Sequence, residues 1–283
     1  MLTDPSGLTD PSGLTDPSGL FNLTGRKAVV TGGAGALGGQ AATALASAGA
    51  SVAVVDVDEV RVAQVTQEIQ DGGSTAVGIV ADLTDEAEVE RVFGTVTDSL
   101  GGVDILVNAM AAPVPRASPE LFPLDDWQAT LTSDLTSFFL CSRAAATRMI
   151  AARRGGSIVN FSSIAGVSAL GRGNMAYAVA KSGICQLTRE MAFAWAPENI
   201  RVNAILPCQF TNAWWAGIVA DGAHEPLVER VLAGIPLGRL GAPSEIRGPV
   251  VFLASDAASM VTGVLLPVDG GNLAANAGAS LTM

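Results

Sequence analysis

Seven short runs of apolar, largely β-branched residues recur along the chain: Ala28–Thr31, Ser51–Val55, Ala76–Val80, Ile105–Val107, Ser157–Phe161, Arg201–Leu206 and Leu265–Val268. Most are apolar throughout instead of alternating with polar residues, the pattern of parallel strands covered on both faces. Between them lie segments of helical length: Ala36–Ala48, Glu59–Gln70, Asp85–Ser99, Asp125–Ala152, Ala176–Ala196 and Ser244–Ala254. Thr84 and Ser244 are expected to cap two of these, with acids in the following turn. Strand and helix alternating this regularly predicts an α/β fold, a doubly wound parallel sheet of about seven strands with helices on both faces.

Composition removes several classes of protein. Hydrophobic residues make up 49% and charged residues 15%, which excludes disorder as the main state. The stretch from Ala28 to Val55 carries no charge, but six glycines and its strand, turn, helix, strand parsing argue against a membrane span. A net charge of −11 repels nucleic acid and anionic membrane alike, so neither is expected as a partner. One histidine, His224, cannot form a multi-histidine metal site, and no metal is expected. Cys141, Cys185 and Cys208 show no framework spacing, which fits a reducing compartment. The first 20 residues lack a basic start and an apolar run, so a cytoplasmic location is expected. They read Leu-Thr-Asp-Pro-Ser-Gly three times over 2–19, an arm of successive turns before one domain spanning 21–283.

The first strand runs through Thr31-Gly32-Gly33-Ala34-Gly35-Ala36-Leu37-Gly38 into a helix. A glycine-rich turn there lets backbone N–H groups approach a pyrophosphate at the positive helix end, which makes the sheet Rossmann-type. Asp56 closes the second strand 18 residues after Gly38, where a carboxylate can accept both ribose hydroxyls of an adenosine. It would repel a 2′-phosphate, and Val57 supplies no cation, so NAD is expected over NADP. The competing reading makes Asp56 the cap of the next helix.

The only tyrosine, Tyr177, and one of two lysines, Lys181, stand four positions apart on a predicted helix, after a strand ending in Ser162-Ser163. Positions i and i+4 share a helix face, so phenol and ammonium can enter one pocket. A neighbouring ammonium favours the phenolate and is expected to lower the tyrosine's pKa, making it a general base for an alcohol or general acid for a ketone. A serine hydroxyl beside it can hydrogen-bond the reacting oxygen. The competing readings are a packed aromatic and a solvated lysine.

These motifs resemble the classical short-chain dehydrogenase/reductase family from about Leu20 to Gly271. Thr31 to Gly38 resembles its cofactor turn, Asp82-Leu83 its adenine-contacting pair, Asn108-Ala109-Met110-Ala111 its fourth-strand motif, and Tyr177 with Lys181 its Y-x-x-x-K signature. Ser163, with Gly166 three residues on, takes the serine position, and Pro236–Arg239, Phe252–Asp256 and Asp269–Gly271 resemble its closing segment. The resemblance implies an NAD(H)-dependent oxidoreductase interconverting a secondary alcohol and a ketone. Tyr177 would pass the proton, Lys181 hold the nicotinamide ribose, and Ser163 orient the substrate oxygen. Gly32, Gly35, Ala36, Leu37, Gly38, Asp56, Asp82, Leu83, Asn108, Pro207 and Phe210 would join Tyr177 and Lys181 around the cofactor. The resemblance also implies a homo-oligomer, a tetramer or dimer built through the two long helices. Phe138, Phe139, Phe193 and Trp195 suit that interface as well as a core.

Several positions depart from the family pattern. Ala36 replaces a glycine, Cys208 replaces the glycine after Pro207, and Asp134 stands where many members carry an asparagine behind the lysine. An ionised Asp134 would stabilise the charged Lys181, and it is counted with the catalytic group. The segment from about 209 to 239 reads as a substrate lid, whose Trp214 and Trp215 suggest a small apolar or aromatic substrate unless they anchor the lid. Few charges line it, so a strongly anionic substrate is not expected. A polyol or sugar dehydrogenase is the nearest alternative. A catalytically silent NAD-binding or sensing protein, and an epimerase or lyase of the same fold, are the others.

Overall fold

The computed structural model describes residues 17–113, 115–212, 215, 217, 218 and 225–275. Its strands are β1 (Lys27–Thr31), β2 (Ser51–Asp56), β3 (Ala76–Val80), β4 (Ile105–Asn108), β5 (Gly156–Phe161), β6 (Ile200–Pro207) and β7 (Leu265–Val268). They form one sheet in the order β3-β2-β1-β4-β5-β6-β7, with every neighbouring pair parallel. Each strand matches its apolar run to within one residue at either end.

The absence of alternation in those runs has the expected cause. Val30, Val54, Val107 and Val159 face one core, packed against α1 (Ala36–Ser47) and the late helix Arg247–Ala254. The intervening Val29, Val55, Leu106 and Ile158 face a second core under α3 (Glu86–Leu100) and α5 (Ser137–Ala152). Consecutive side chains point to opposite faces and both faces are covered, so the strands are largely apolar, and polar residues such as Asn108 and Asn160 are paired inside the sheet.

Three sequence expectations shift in detail. Asp85, not Thr84, caps α3 by accepting from the N–H groups of Ala87 and Glu88. Thr84 instead gives its N–H and hydroxyl to Asp82, a turn that displaces the helix start by one residue. Ser244 lies inside a 3₁₀ turn, Pro243–Ile246, that precedes the late helix. The expected helix 125–152 is two helices, α4 (Leu124–Leu131) and α5, joined by a π turn at Thr132–Thr136. The remaining elements near the site are α2 (Glu59–Asp71) and α6 (Met175–Trp195).

The strand order reverses between β1 and β4, so the connections after them leave on opposite faces and open a crevice at the strands' carboxyl ends. Almost all of the triple repeat lies outside the described residues. None of the described helices is long and apolar enough to cross a membrane.

Candidate active site

At the end of β1 the chain turns through Gly32 to Gly35 into α1. Gly32 has φ +65°, and a Cβ there would lie 2.7 Å from the backbone of Ala109 and Met110, so only glycine fits the turn. The N-cap of α1, Gly35, has no side chain to cap it, and the first N–H groups of the helix lack intrahelical partners. Ala36, Leu37 and Gly38 line a cavity of about 330 Å³. Free donors at a positive helix end suit a pyrophosphate.

Asp56 ends β2 at the same crevice. Its carboxylate accepts from the N–H groups of Ala34 (3.1 Å) and Val57 (2.8 Å), which orients it toward the turn. Asp58 caps α2, so the capping reading of Asp56 falls. A second cavity of about 270 Å³ is walled by Asp82, Leu83 and Ser133, and shares Gly32, Asp56, Met110 and Ala111 with the first. The two adjoin as a groove with a donor-rich middle and an acid at the ribose position, which fits a dinucleotide.

The other end of the groove gathers the side chains expected to be catalytic. The Ser162 hydroxyl donates to the carbonyl of Lys181 (2.8 Å), and Gly166 packs against that carbonyl, where a Cβ would come within 2.7 Å. This contact clamps the end of β5 onto α6. Ser163, Tyr177, Lys181, Pro207 and Cys208 therefore line the same cavity as the glycine turn. The Ser163 hydroxyl accepts from the Ala165 N–H at 3.1 Å, which holds it at the start of its turn.

Lys181 is 2% exposed and ringed by acceptors. Its Nζ donates to the carbonyls of Phe161 (3.3 Å) and Met110 (3.4 Å), sits 4.8 Å from the Phe138 ring centroid, and lies 4.0 Å from Asp134 Oδ2. Burial pulls its pKa down, and the Asp134 charge opposes that. The π turn aims Asp134 inward: Oδ1 accepts from Ala112 N–H and Ser133 Oγ, whereas Oδ2 has no hydrogen bond and faces the ammonium. A π turn widens the helix locally and redirects its side chains.

The expected direction for Tyr177 is reversed. Burial raises its pKa, a hydrogen bond with Ser163 works against that, and Asp134 raises it further. Lys181 lies over the ring face, 5.5 Å from the centroid. Burial thus disfavours the charged form of both groups, with Asp134 opposing this at Lys181.

Two residues expected at the cofactor sit elsewhere. Asn108 is fully buried, accepting from Thr31 Oγ1 and donating to Ser142 and Asn160, so it ties β1, β4 and β5 together inside the sheet. The backbone-rich Ala109 to Ala111 segment lines the groove in its place. Phe210 packs against Gly241 in a separate small cavity. Trp215 is 3% exposed and joins Val231 and Ile235 in a local core, anchoring the 209–239 segment instead of facing substrate. Trp214 and His224 lie outside the described residues. Phe138 is fully buried under Lys181 and is no interface residue, while Phe139 and Phe193 are exposed. Sequence reading missed the Met110 and Phe161 carbonyls, because backbone acceptors leave no residue-type signal.

A crevice of this shape with a tyrosine, a lysine and a serine at one end defines a dinucleotide-dependent oxidoreductase. The family model described as enoyl-(acyl carrier protein) reductase matches residues 32–272. The chain is 38% identical over 247 residues to cis-4-hydroxycyclohexanecarboxylate dehydrogenase of Sinomonas cyclohexanicum, covering 87% of this chain and 96% of that one. Among solved structures, NAD+-bound xylitol dehydrogenase superposes with TM-score 0.83 at 31% identity, covering 88% of this chain and 99% of that one. A gluconate 5-dehydrogenase from Burkholderia cenocepacia J2315, in complex with NADP and tartrate, gives 0.84 at 32%, covering 92% and 100%. The chain belongs to the classical short-chain dehydrogenase/reductase family. Within it, the chain is an alcohol dehydrogenase using a nicotinamide dinucleotide.

Proposed function

We propose that the protein oxidises a small, largely apolar secondary alcohol with NAD, and reduces the corresponding ketone, by proton transfer at Tyr177. The observation that carries this is a single groove bearing Asp56 at one end and Ser163, Tyr177 and Lys181 at the other. The cofactor, when bound, takes or gives the hydride. Tyr177 Oη removes the alcohol's proton or returns it to the ketone, Ser163 Oγ hydrogen-bonds the substrate oxygen, and Lys181 lies against the Tyr177 ring, where its ammonium favours the phenolate. Asp56 supports NAD over NADP, because a 2′-phosphate would meet a carboxylate held by two N–H donors. Ile164, Leu170 and Val231 beyond Cys208 offer apolar side chains that suit an alicyclic or aromatic body, beside the polar Ser168, Gln209 and Asn272. Exposed Phe139 on α5 and Phe193 on α6 support a homo-oligomer built through those helices.

The test is a panel of cyclic secondary alcohols and polyols with NAD and NADP, read as nicotinamide absorbance. NADH formation on cyclic alcohols is expected, with NADP at least about tenfold poorer in kcat/KM. Turnover confined to polyols, or a preference for NADP, overturns the corresponding half of the proposal.

The burial of Tyr177 also sets a pH dependence. Alcohol oxidation needs the phenolate, and the raised pKa keeps the phenol protonated at neutral pH. Oxidative kcat/KM is therefore expected to climb as pH rises above neutral. Ketone reduction, which needs the phenol, stays level until the group titrates and then falls. Profiles in both directions check this, and an oxidation rate that is flat from neutral to alkaline pH contradicts it.

A further inference from the structure

Behind the catalytic pocket lies a second cavity of about 500 Å³ that shares Cys208 with it and begins at Ile164, beside Ser163. Its walls combine the apolar side chains of Val167, Leu170, Val231 and Ile235 with the polar ones of Ser168, Gln209 and Asn272. One cation, Arg172, stands on this wall. Among the described residues its guanidinium makes no hydrogen bond or ion pair, although acidic residues outnumber basic ones in the chain by 27 to 16. Arg172 is partly buried, and an anionic ligand on the cavity wall would supply the counter-charge that the described residues do not.

The loop that carries Arg172 is built to hold it there. Gly171 and Gly173 on either side have φ of +63° and +73°. The Gly173 carbonyl accepts from the Ala117 N–H at 3.0 Å, which ties the loop to the segment after β4. The positive charge reaches the Cys208 sulfur: burial raises the thiol's pKa and Asp269 adds to that, while Arg172 opposes both. Asp269 does not compete for the guanidinium, since its two carboxylate oxygens accept from the Gly271 and Leu273 N–H groups.

We propose that Arg172 is a specificity-determining residue that binds a carboxylate, making the substrate a hydroxy acid with an apolar body between its alcohol and its acid group. The alcohol lies at Ser163 and Tyr177, the body fills the second cavity, and the carboxylate pairs with the guanidinium fork. This rests on the dehydrogenase reading above and narrows its substrate. It runs against the expectation that a strongly anionic substrate is disfavoured, because the cation comes from the loop before α6 and not from the 209–239 segment. Arg172 touches no reacting atom.

The experiment measures calorimetric binding of cyclohexanecarboxylate, which has no alcohol to react, and of its methyl ester, to NAD-saturated protein. In wild type the acid is expected to bind more tightly than the ester. In Arg172→Gln its affinity falls by about 10- to 100-fold while the ester's is unchanged, the range for one charge-assisted pair. Arg172→Lys should retain part of the preference. Unchanged NADH affinity in both variants shows that the fold is intact. Equal loss for acid and ester, no loss for either, or an ester preference in wild type overturns the proposal. Acid binding that depends on Arg172 in a protein that oxidises no alcohol would uphold the subsite and refute the dehydrogenase reading instead.

Discussion

Tyr177→Phe is expected to lower kcat by about 10³- to 10⁴-fold while leaving the affinity for NADH within a few-fold of wild type. The substitution removes one oxygen and keeps the ring that packs over Lys181. No second tyrosine exists in the chain to take over the proton, and the single histidine, His224, lies 47 positions further on. The other hydroxyl at the site, Ser163, already accepts from Ala165 N–H and is placed to bind the substrate oxygen, not to ionise. Stopped-flow turnover and NADH fluorescence titration measure the two quantities separately. Unchanged turnover would point to a silent binding protein, and loss of NADH binding would make Tyr177 chiefly a cofactor contact.

The second large effect concerns the buried pair behind it. Lys181→Met should abolish turnover and also destabilise the fold by about 3–5 kcal/mol, because it leaves the Asp134 carboxylate buried without its cation. Asp134 is 1% exposed, and although Oδ1 accepts from Ala112 N–H and Ser133 Oγ, Oδ2 has no hydrogen bond and faces the ammonium. For a domain of this size the loss corresponds to a fall in Tm on the order of 10 °C. The double variant Lys181→Met with Asp134→Asn is expected to recover most of that stability and none of the activity, which separates the electrostatic cost from the catalytic one. Calorimetric melts of the wild type, both single variants and the double variant form the cycle. Additive losses would show that the 4.0 Å contact carries no coupling energy.

The same pair shows how far sequence reading reached. Tyr177 and Lys181 were recognisable because helical periodicity alone places i and i+4 on one face. Asp134 was recognisable as a departure from a family pattern, but its approach to Lys181 depends on a π turn, and no local propensity marks the extra residue in that turn. The two residues lie 47 positions apart in the chain, and only the packing of α6 across the π turn, with Gly183 against Leu135, brings them together. The direction of the Tyr177 shift went the opposite way for a related reason. Spacing announces a nearby ammonium, whereas burial, the larger effect, is a property of everything packed around the ring.

What the sequence determined by itself is whatever is encoded locally. The seven strands follow from their apolar runs, the turn into α1 from its glycines, the position of Asp56 from a strand end, and the pairing of Tyr177 with Lys181 from a helical interval. These depend on backbone sterics and side-chain periodicity over a few residues, which neighbours in the chain suffice to specify. Tertiary structure decided which way the shared residues face. It turned Asn108 into a strand tie, Phe210 and Trp215 into packing anchors, and placed Arg172 on a cavity wall. Those outcomes depend on surfaces assembled from segments far apart in sequence, where desolvation and close packing decide the role of a side chain, and neither can be read from residue type or spacing.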